Sequence, residues 1–328
     1  MSQDAQQQED RWLNRRADGE RPLLVVGCMN LGTRTPPAES RAILERALKA
    51  GLTCFDTANV YGNGASERVL GEVLHGVPQA RVASKVGLLA QRGRPEGLSP
   101  ARIHAALAES LERLRRDTLD VYYLHTPDRA VPIEETVGTM AQLVAQGRVK
   151  AWAVSNHASW EILEMFHHCD RHGLPRPRQS QVLLNVVVRQ VEMEYARFAA
   201  RYRLHTTVYN PLAGGVLARV PPPDARPDKG SRFDGNQRYL DRYWSSRVLQ
   251  FAQDVRALAQ RHGVTPLDVA YGWLMRHPAV DSILLGPASV AHLDAALESC
   301  ARALPDALWK DLAALQRAFD GTDASYAR

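Results

Sequence analysis

The chain predicts an α/β protein of the (β/α)8 TIM-barrel class, with a long lid loop after the seventh strand and an added C-terminal helix. Three observations carry this. From Pro22 onward, apolar runs of strand character alternate with segments of helical period, the pattern that builds a parallel sheet with helices outside it. Eight such units can be counted, and 328 residues suit one barrel of this kind. Three of the runs end in polar residues, Asp56, Lys85 and His125, as expected where parallel strands converge on one mouth.

In chain order, the expected strands are Leu23 to Cys28, Thr53 to Asp56, Val82 to Lys85, Asp120 to Leu124, Lys150 to Val154, Gln179 to Leu183, Thr206 to Tyr209 and Ser282 to Leu285. The helices between them show apolar stripes. Ile103, Leu107, Leu111 and Leu114 recur at helical spacing, as do Val137, Met140, Ala141 and Val144. Ser99 before Pro100 supplies an N-cap and a first-turn proline, and Gly147 stops the helix that begins near Ile133. Between Pro211 and Trp244, Gly214, Gly215, the prolines Pro221 to Pro223 and a polar run are too long for an ordinary connection. That segment follows the seventh strand, so it emerges at the mouth, where lids are built. Leu304 to Phe319 reads as the added helix, and Ser325 to Arg328 can fold back over the mouth.

Hydrophobic residues make up 45% of the chain and charged ones 23%, as in an ordinary globular enzyme. The formal charge is +5, with cations scattered through the helices, so nucleic acid is not an expected partner. No apolar run is long enough to span a bilayer. Residues 1–20 lack the apolar stretch of a signal peptide. They read as a frayed tail before one barrel domain over residues 21–328, and the expected location is the cytoplasm. Cys28, Cys54, Cys169 and Cys300 are isolated and lie in or near apolar segments, which suits buried thiols better than disulfides or zinc. No metal site is expected. His167 and His168, being adjacent, point apart on a helix and make poor joint ligands.

Reducing a carbonyl requires a hydride on carbon and a proton for the oxygen. Tyr61 is the candidate acid. An ordinary tyrosine, with pKa near 10, donates sluggishly at neutral pH and gains from an ammonium that stabilises the phenolate left behind. Lys85 can supply that charge, Asp56 can serve as its counter-ion, and His125 can orient the carbonyl oxygen. Each residue also has a plainer reading. Asp56 can cap a strand-to-loop turn, Tyr61 can be a surface aromatic beside Gly62, Lys85 a snorkelling strand-end residue and His125 a satisfied core histidine. Their appearance in order on one predicted rim favours the joint reading. Gly62-Asn63-Gly64 begins a dinucleotide-like glycine pattern, but it follows Tyr61 in a loop and lacks the third glycine.

Asp56-Thr57-Ala58-Asn59-Val60-Tyr61-Gly62, Glu67 and Gly71, Lys85 after Ala83-Ser84, and Asp120 through His125 together resemble the aldo-keto reductase signature. The resemblance runs from about Val25 to Leu297. Leu124 through Asp128, Pro132 through Thr136, Arg189-Gln190-Val191-Glu192, Tyr209 through Gly215, Arg232-Phe233 and Arg242-Tyr243-Trp244 are similar to the aflatoxin aldehyde reductases. The resemblance implies an NADP(H)-dependent reductase of an aldehyde or ketone, with Tyr61 as acid and Asp56, Lys85 and His125 as its partners. It further implies that Ser155, Asn156 and Gln181 bind the nicotinamide carboxamide and that Tyr209 stacks on the ring. Asn210 is implied as a cofactor-binding residue, the backbone from Leu212 through Gly214 to Leu217 for the pyrophosphate, and Gly286, Ser289 and His292 for the adenosine end. A homodimer is implied by family likeness alone.

This chain departs from the family pattern at several of those positions. Arg219 stands in for the usual lysine after the Gly-Gly, and His292 and Ala296 occupy places of other residues. These departures bear on the choice between NADPH and NADH. Leu184 replaces an aromatic residue. The expected substrate pocket is lined by Met29, Leu184, Tyr209, Arg232 and Trp244, with the chain end near Tyr326 and Arg328, and the lid arginines suggest a carboxylate or dicarbonyl substrate. Two other readings compete with a general carbonyl reductase: a nucleotide-sensing protein resembling potassium-channel β-subunits, and a pathway-specific reductase of a keto-sugar or natural-product intermediate.

Overall fold

Alternation within the apolar runs decides which side chains enter the barrel. The computed structural model describes residues 11–91 and 94–321. Its strands are β1 (Leu23–Gly27), β2 (Cys54–Asp56), β3 (Arg81–Val86), β4 (Leu119–Leu124), β5 (Val149–Ser155), β6 (Gln179–Leu183), β7 (His205–Tyr209) and β8 (Ser282–Leu285). All pair in parallel with their chain neighbours, and β8 pairs with β1 to close the barrel. Every expected strand is found, with ends that differ by at most one residue.

Val25, Cys54, Ala83, Val121, Tyr123, Ala153 and Leu284 fill the interior as one cluster. The alternate residues Val26, Phe55, Val82, Tyr122, Trp152 and Ile283 pack outward in the larger layer beneath the helices. That layer includes α1 (Pro37–Lys49), α2 (Ala65–Val73), α3 (Pro100–Leu114), α4 (Ile133–Ala145), α5 (Ser159–His172) and α6 (Tyr195–Tyr202). The predicted stripe of α3 is buried, and Ser99 caps that helix by accepting from the Arg102 N–H. In α4 the buried stripe takes in Leu143, while Val144 is only half-buried.

The predicted lid contains α7 (Val216–Arg219) and α8 (Gln237–Tyr243) and leads into α9 (Ser246–Arg261) and α10 (Pro266–Arg276). Helix α11 (Val290–Ala301) follows β8, and the added helix, expected over Leu304 to Phe319, is α12 (Asp306–Asp320). A short antiparallel ladder, Ala90–Gln91 with Arg94–Pro95, was not foreseen. The four cysteines are buried and free. Among the described residues, no helix is long and apolar enough to cross a membrane.

The expected frayed tail does not extend to residue 20. Residues 1–10 lie outside the described ones, but Trp12 is 2% exposed and packs into the interior cluster at the barrel floor. Its carbonyl accepts from Gln179 Nε2 and that of Asn14 from His205 Nδ1, while Arg16 N donates to Asp281 Oδ1. A bulky indole and these buried acceptors outweigh the polar composition of the segment.

Candidate active site

The inward phase of the strands carries the site. Asp56, Lys85, Ser155, Gln181 and Tyr209 fall on the same alternation as the interior residues of their own strands, and His125 continues that of Val121 and Tyr123. All six therefore arrive at the C-terminal rim, where a barrel exposes its functional groups.

Lys85 and Asp56 form an ion pair shielded from water, with side chains 0% and 3% exposed. The ammonium also donates to the Thr57 carbonyl at 2.8 Å. The other carboxylate oxygen of Asp56 accepts from Gln181 Nε2 at 2.9 Å. Burial lowers the proton affinity of Lys85, and Asp56 opposes that fall. The ammonium lies 5.2 Å from the centre of the Tyr61 ring, without a direct hydrogen bond to its hydroxyl. His125 stands edge-on to the same ring, with centroids 5.9 Å apart and planes at 83°. Burial, then the charge of Asp56, raises the Tyr61 pKa well above the ordinary value, so the phenol holds its proton at neutral pH. Burial and the Lys85 charge push His125 far below its ordinary range, which keeps the imidazole neutral. Its Nδ1 is buried without a protein partner, an orphan polar atom suited to meet a ligand.

Backbone geometry sets the Tyr61 loop. Gly62 has φ of +60°, and an added Cβ would fall 2.1 Å from Thr33 Cγ2, so the loop after β1 presses against this turn. Asn59, two residues before Tyr61, donates through Nδ2 to Glu96 Oε1 at 2.8 Å, and Glu96 also accepts from Gly87 N and Arg102 Nε.

The residues implied for nicotinamide lie together. Asn156 Nδ2 donates to the His125 carbonyl at 2.9 Å and to Ser155 Oγ at 3.0 Å, and Tyr209 donates its hydroxyl to Asn156 Oδ1 at 2.7 Å. Asn210, at φ +57°, is held from two sides. Asn185 Nδ2 donates to its carbonyl at 2.9 Å, and the Tyr239 hydroxyl to its Oδ1 at 3.2 Å. Gly214 has φ of +71° and sits so close to Phe233 and Tyr239 that a Cβ would meet both at 3.0 Å. Leu212 and Leu217 anchor this turn in the apolar core, Leu217 fully buried. An amide reader, an aromatic face and a glycine turn on one rim fit a flat carboxamide-bearing ring with a phosphate linker.

The residues implied for the adenosine end are placed differently. Arg219 is exposed and pairs with Asp228 at 2.9 Å. Ser289 caps α11 by accepting from His292 N at 3.2 Å, and His292 itself is exposed. The Val290 N–H at that helix start is taken by Glu39 Oε1 at 2.8 Å. A carboxylate thus occupies a helix N-terminus that would otherwise attract an anion. Gly286 is open, with nothing within 4 Å of an added Cβ.

Two expected pocket residues are placed elsewhere. Leu184 is fully buried in the outer layer, because alternation points it away from the interior set by Gln179 and Gln181. Trp244 packs on Phe233 with centroids 4.5 Å apart and donates its indole N–H to the Ala225 carbonyl, which makes it a core residue of the lid. Met29 is 40% exposed at the mouth. Arg232 joins lid to rim, donating to Asn30 Oδ1 at 2.7 Å and to the Tyr239 hydroxyl at 3.2 Å. Arg34 adds a bond to the Gly230 carbonyl at 2.8 Å. Tyr326 and Arg328 lie outside the described residues. Sequence reasoning missed Tyr123, Asn185 and Glu39. Tyr123 could have been found by counting two residues back from His125, whereas Asn185 and Glu39 carry no local signal.

Residues 23–317 match the Aldo/keto reductase family. Aflatoxin B1 aldehyde reductase member 2 of Rattus norvegicus is 32% identical over 84% of this chain and 78% of its own length. A probable voltage-gated potassium channel subunit beta of Oryza sativa is 29% identical over 79% of this chain and 80% of its own. Among solved structures, a glycerol dehydrogenase from Gluconobacter oxydans superposes with a TM-score of 0.78, covering 96% of this chain and 98% of its own at 23% identity; this likeness speaks to the fold.

Proposed function

The chain belongs to the aldo/keto reductase family, and on that premise we propose that it reduces an aldehyde or ketone to an alcohol, with Tyr61 as the proton donor. One observation carries the reading: a water-shielded Lys85–Asp56 pair beside the ring of Tyr61, with a neutral His125 edge-on to that ring. When bound, a reduced nicotinamide dinucleotide supplies the hydride. Ser155, Asn156 and Gln181 would hold its carboxamide, and Tyr209 would lie against the ring and fix which face meets the substrate. His125 donates a hydrogen bond to the substrate oxygen and positions it near the phenol. As negative charge grows on that oxygen, Tyr61 gives up its proton, and the Lys85 ammonium stabilises the phenolate that remains.

The resemblance implies NADPH as donor, whereas Glu39 at the start of α11 and the Arg219–Asp228 pair favour the dinucleotide without the extra phosphate. The substrate class is set at the lid. Arg232, tied to Asn30 and Tyr239, offers a guanidinium at the mouth for an acidic carbonyl compound.

Replacing Tyr61 with phenylalanine removes the acid and keeps the ring. Cofactor binding should persist while turnover of a small aldehyde falls by about 100-fold or more. Turnover within a few-fold of the unaltered protein would dispose of the assignment. Tight dinucleotide binding with negligible turnover in the unaltered protein would instead favour the nucleotide-sensing reading.

A further inference from the structure

The Lys85 ammonium has a second aromatic neighbour. It lies over the ring of Tyr123, 5.6 Å from the centroid, in addition to the ring of Tyr61. Tyr123 is buried inside the barrel, on the floor side of the rim by its place in β4. Its hydroxyl donates to Gln179 Oε1, which also accepts from Thr207 Oγ1 at 3.3 Å, and Gln179 Nε2 in turn donates to the Trp12 carbonyl. The phenol is thereby anchored from below.

Resting on the reading above, we propose that Tyr123 is a positioning residue for the reduction, whose ring face backs the Lys85 ammonium and keeps it a cation at the site of proton transfer. A buried ammonium needs compensation for lost water, and the face of an aromatic ring within about 6 Å supplies part of it. Its other surroundings are few. The charged and titratable groups facing Lys85 are Asp56 from β2, Glu67 from α2, Cys28 after β1, His125 after β4, and the two tyrosines. Glu67 is committed to Ser84 and Arg113, and the neutral Cys28 and His125 supply no counter-charge. Asp56 shares its charge with Gln181. Tyr123 therefore supplements a single carboxylate and the Thr57 carbonyl.

The test replaces Tyr123 with phenylalanine and then with mono-, di- and trifluorophenylalanine, which keep ring size while draining the negative face. Lys85 is one of five lysines, so its ε-carbon titration can be followed by NMR and assigned with Lys85→Arg. The expected result is a stepwise fall of the Lys85 titration midpoint, roughly one pH unit across the series. The basic limb of aldehyde turnover should move down in step. A flat series overturns the proposal, as does a fall that occurs wholly at Tyr123→Phe, which would place the effect in the hydroxyl anchor. A protein that titrates in the expected order but reduces no aldehyde refutes the proposed activity and leaves the caged lysine standing. Turnover with a flat series refutes the cage alone.

Discussion

A lysine with no exposed side-chain surface keeps its charge only through its neighbours, and Asp56 is the strongest of those. Asp56→Asn should leave the ammonium without a counter-ion and drive it toward the neutral amine. Because burial already lowers its proton affinity, the cation is lost as pH rises through a value below that of free lysine. The variant should lose its charge at still lower pH. A pH–rate profile should show turnover reduced by on the order of 100-fold at pH 7 and a basic limb moved downward; an unmoved limb would show that another group sets it. His125, held neutral by burial and by Lys85, should contribute no limb between pH 6 and 8. At this scale the sequence was informative where chemistry is unusual for its place. An aspartate, a lysine and a histidine ending apolar strands invite explanation, and the structure brings them together. Tyr123 invited none, since a tyrosine in an apolar strand is ordinary and its neighbour Tyr122 looks the same. Alternation separates them, one beside Lys85 and the other under the helices.

At the scale of elements, strands and principal helices were legible because their periods differ and caps such as Ser99 mark their starts. Loops were less so, since their contacts join residues far apart in the chain. The bond between Glu39 and Val290 spans 251 residues, and no local pattern announces it. On the reading proposed above, it bears on cofactor choice. With a carboxylate at the start of α11, the unaltered protein should bind NAD+ at least as well as NADP+, and Glu39→Gln should improve NADP+ binding roughly 5- to 10-fold with little effect on NAD+. Fluorescence titration of both dinucleotides measures the ratio. An unchanged ratio would show that Glu39 does not face the phosphate. The lid presents a similar case: its length and punctuation located it at the mouth, but nothing local showed Arg232 reaching Asn30 on the opposite loop.

At the scale of the whole molecule, barrel closure and family were readable, while the floor was not. A polar leading segment was expected to fray, yet Trp12 and Asn14 stopper the bottom of the barrel. Truncating Trp12 to alanine should cost about 3–5 kcal/mol of stability, read as a lowered urea midpoint. A loss under 1 kcal/mol would mean that the indole is dispensable. The stopper also has a history that static contacts conceal. Its partners Gln179, His205 and Asp281 lie 167, 191 and 265 residues later in the chain. A ribosome therefore makes this segment early, but its dock is finished only after the eighth strand emerges, so it waits through nearly all of translation before seating. In refolding, an indole at position 12 as sole fluorophore should report burial as the final event.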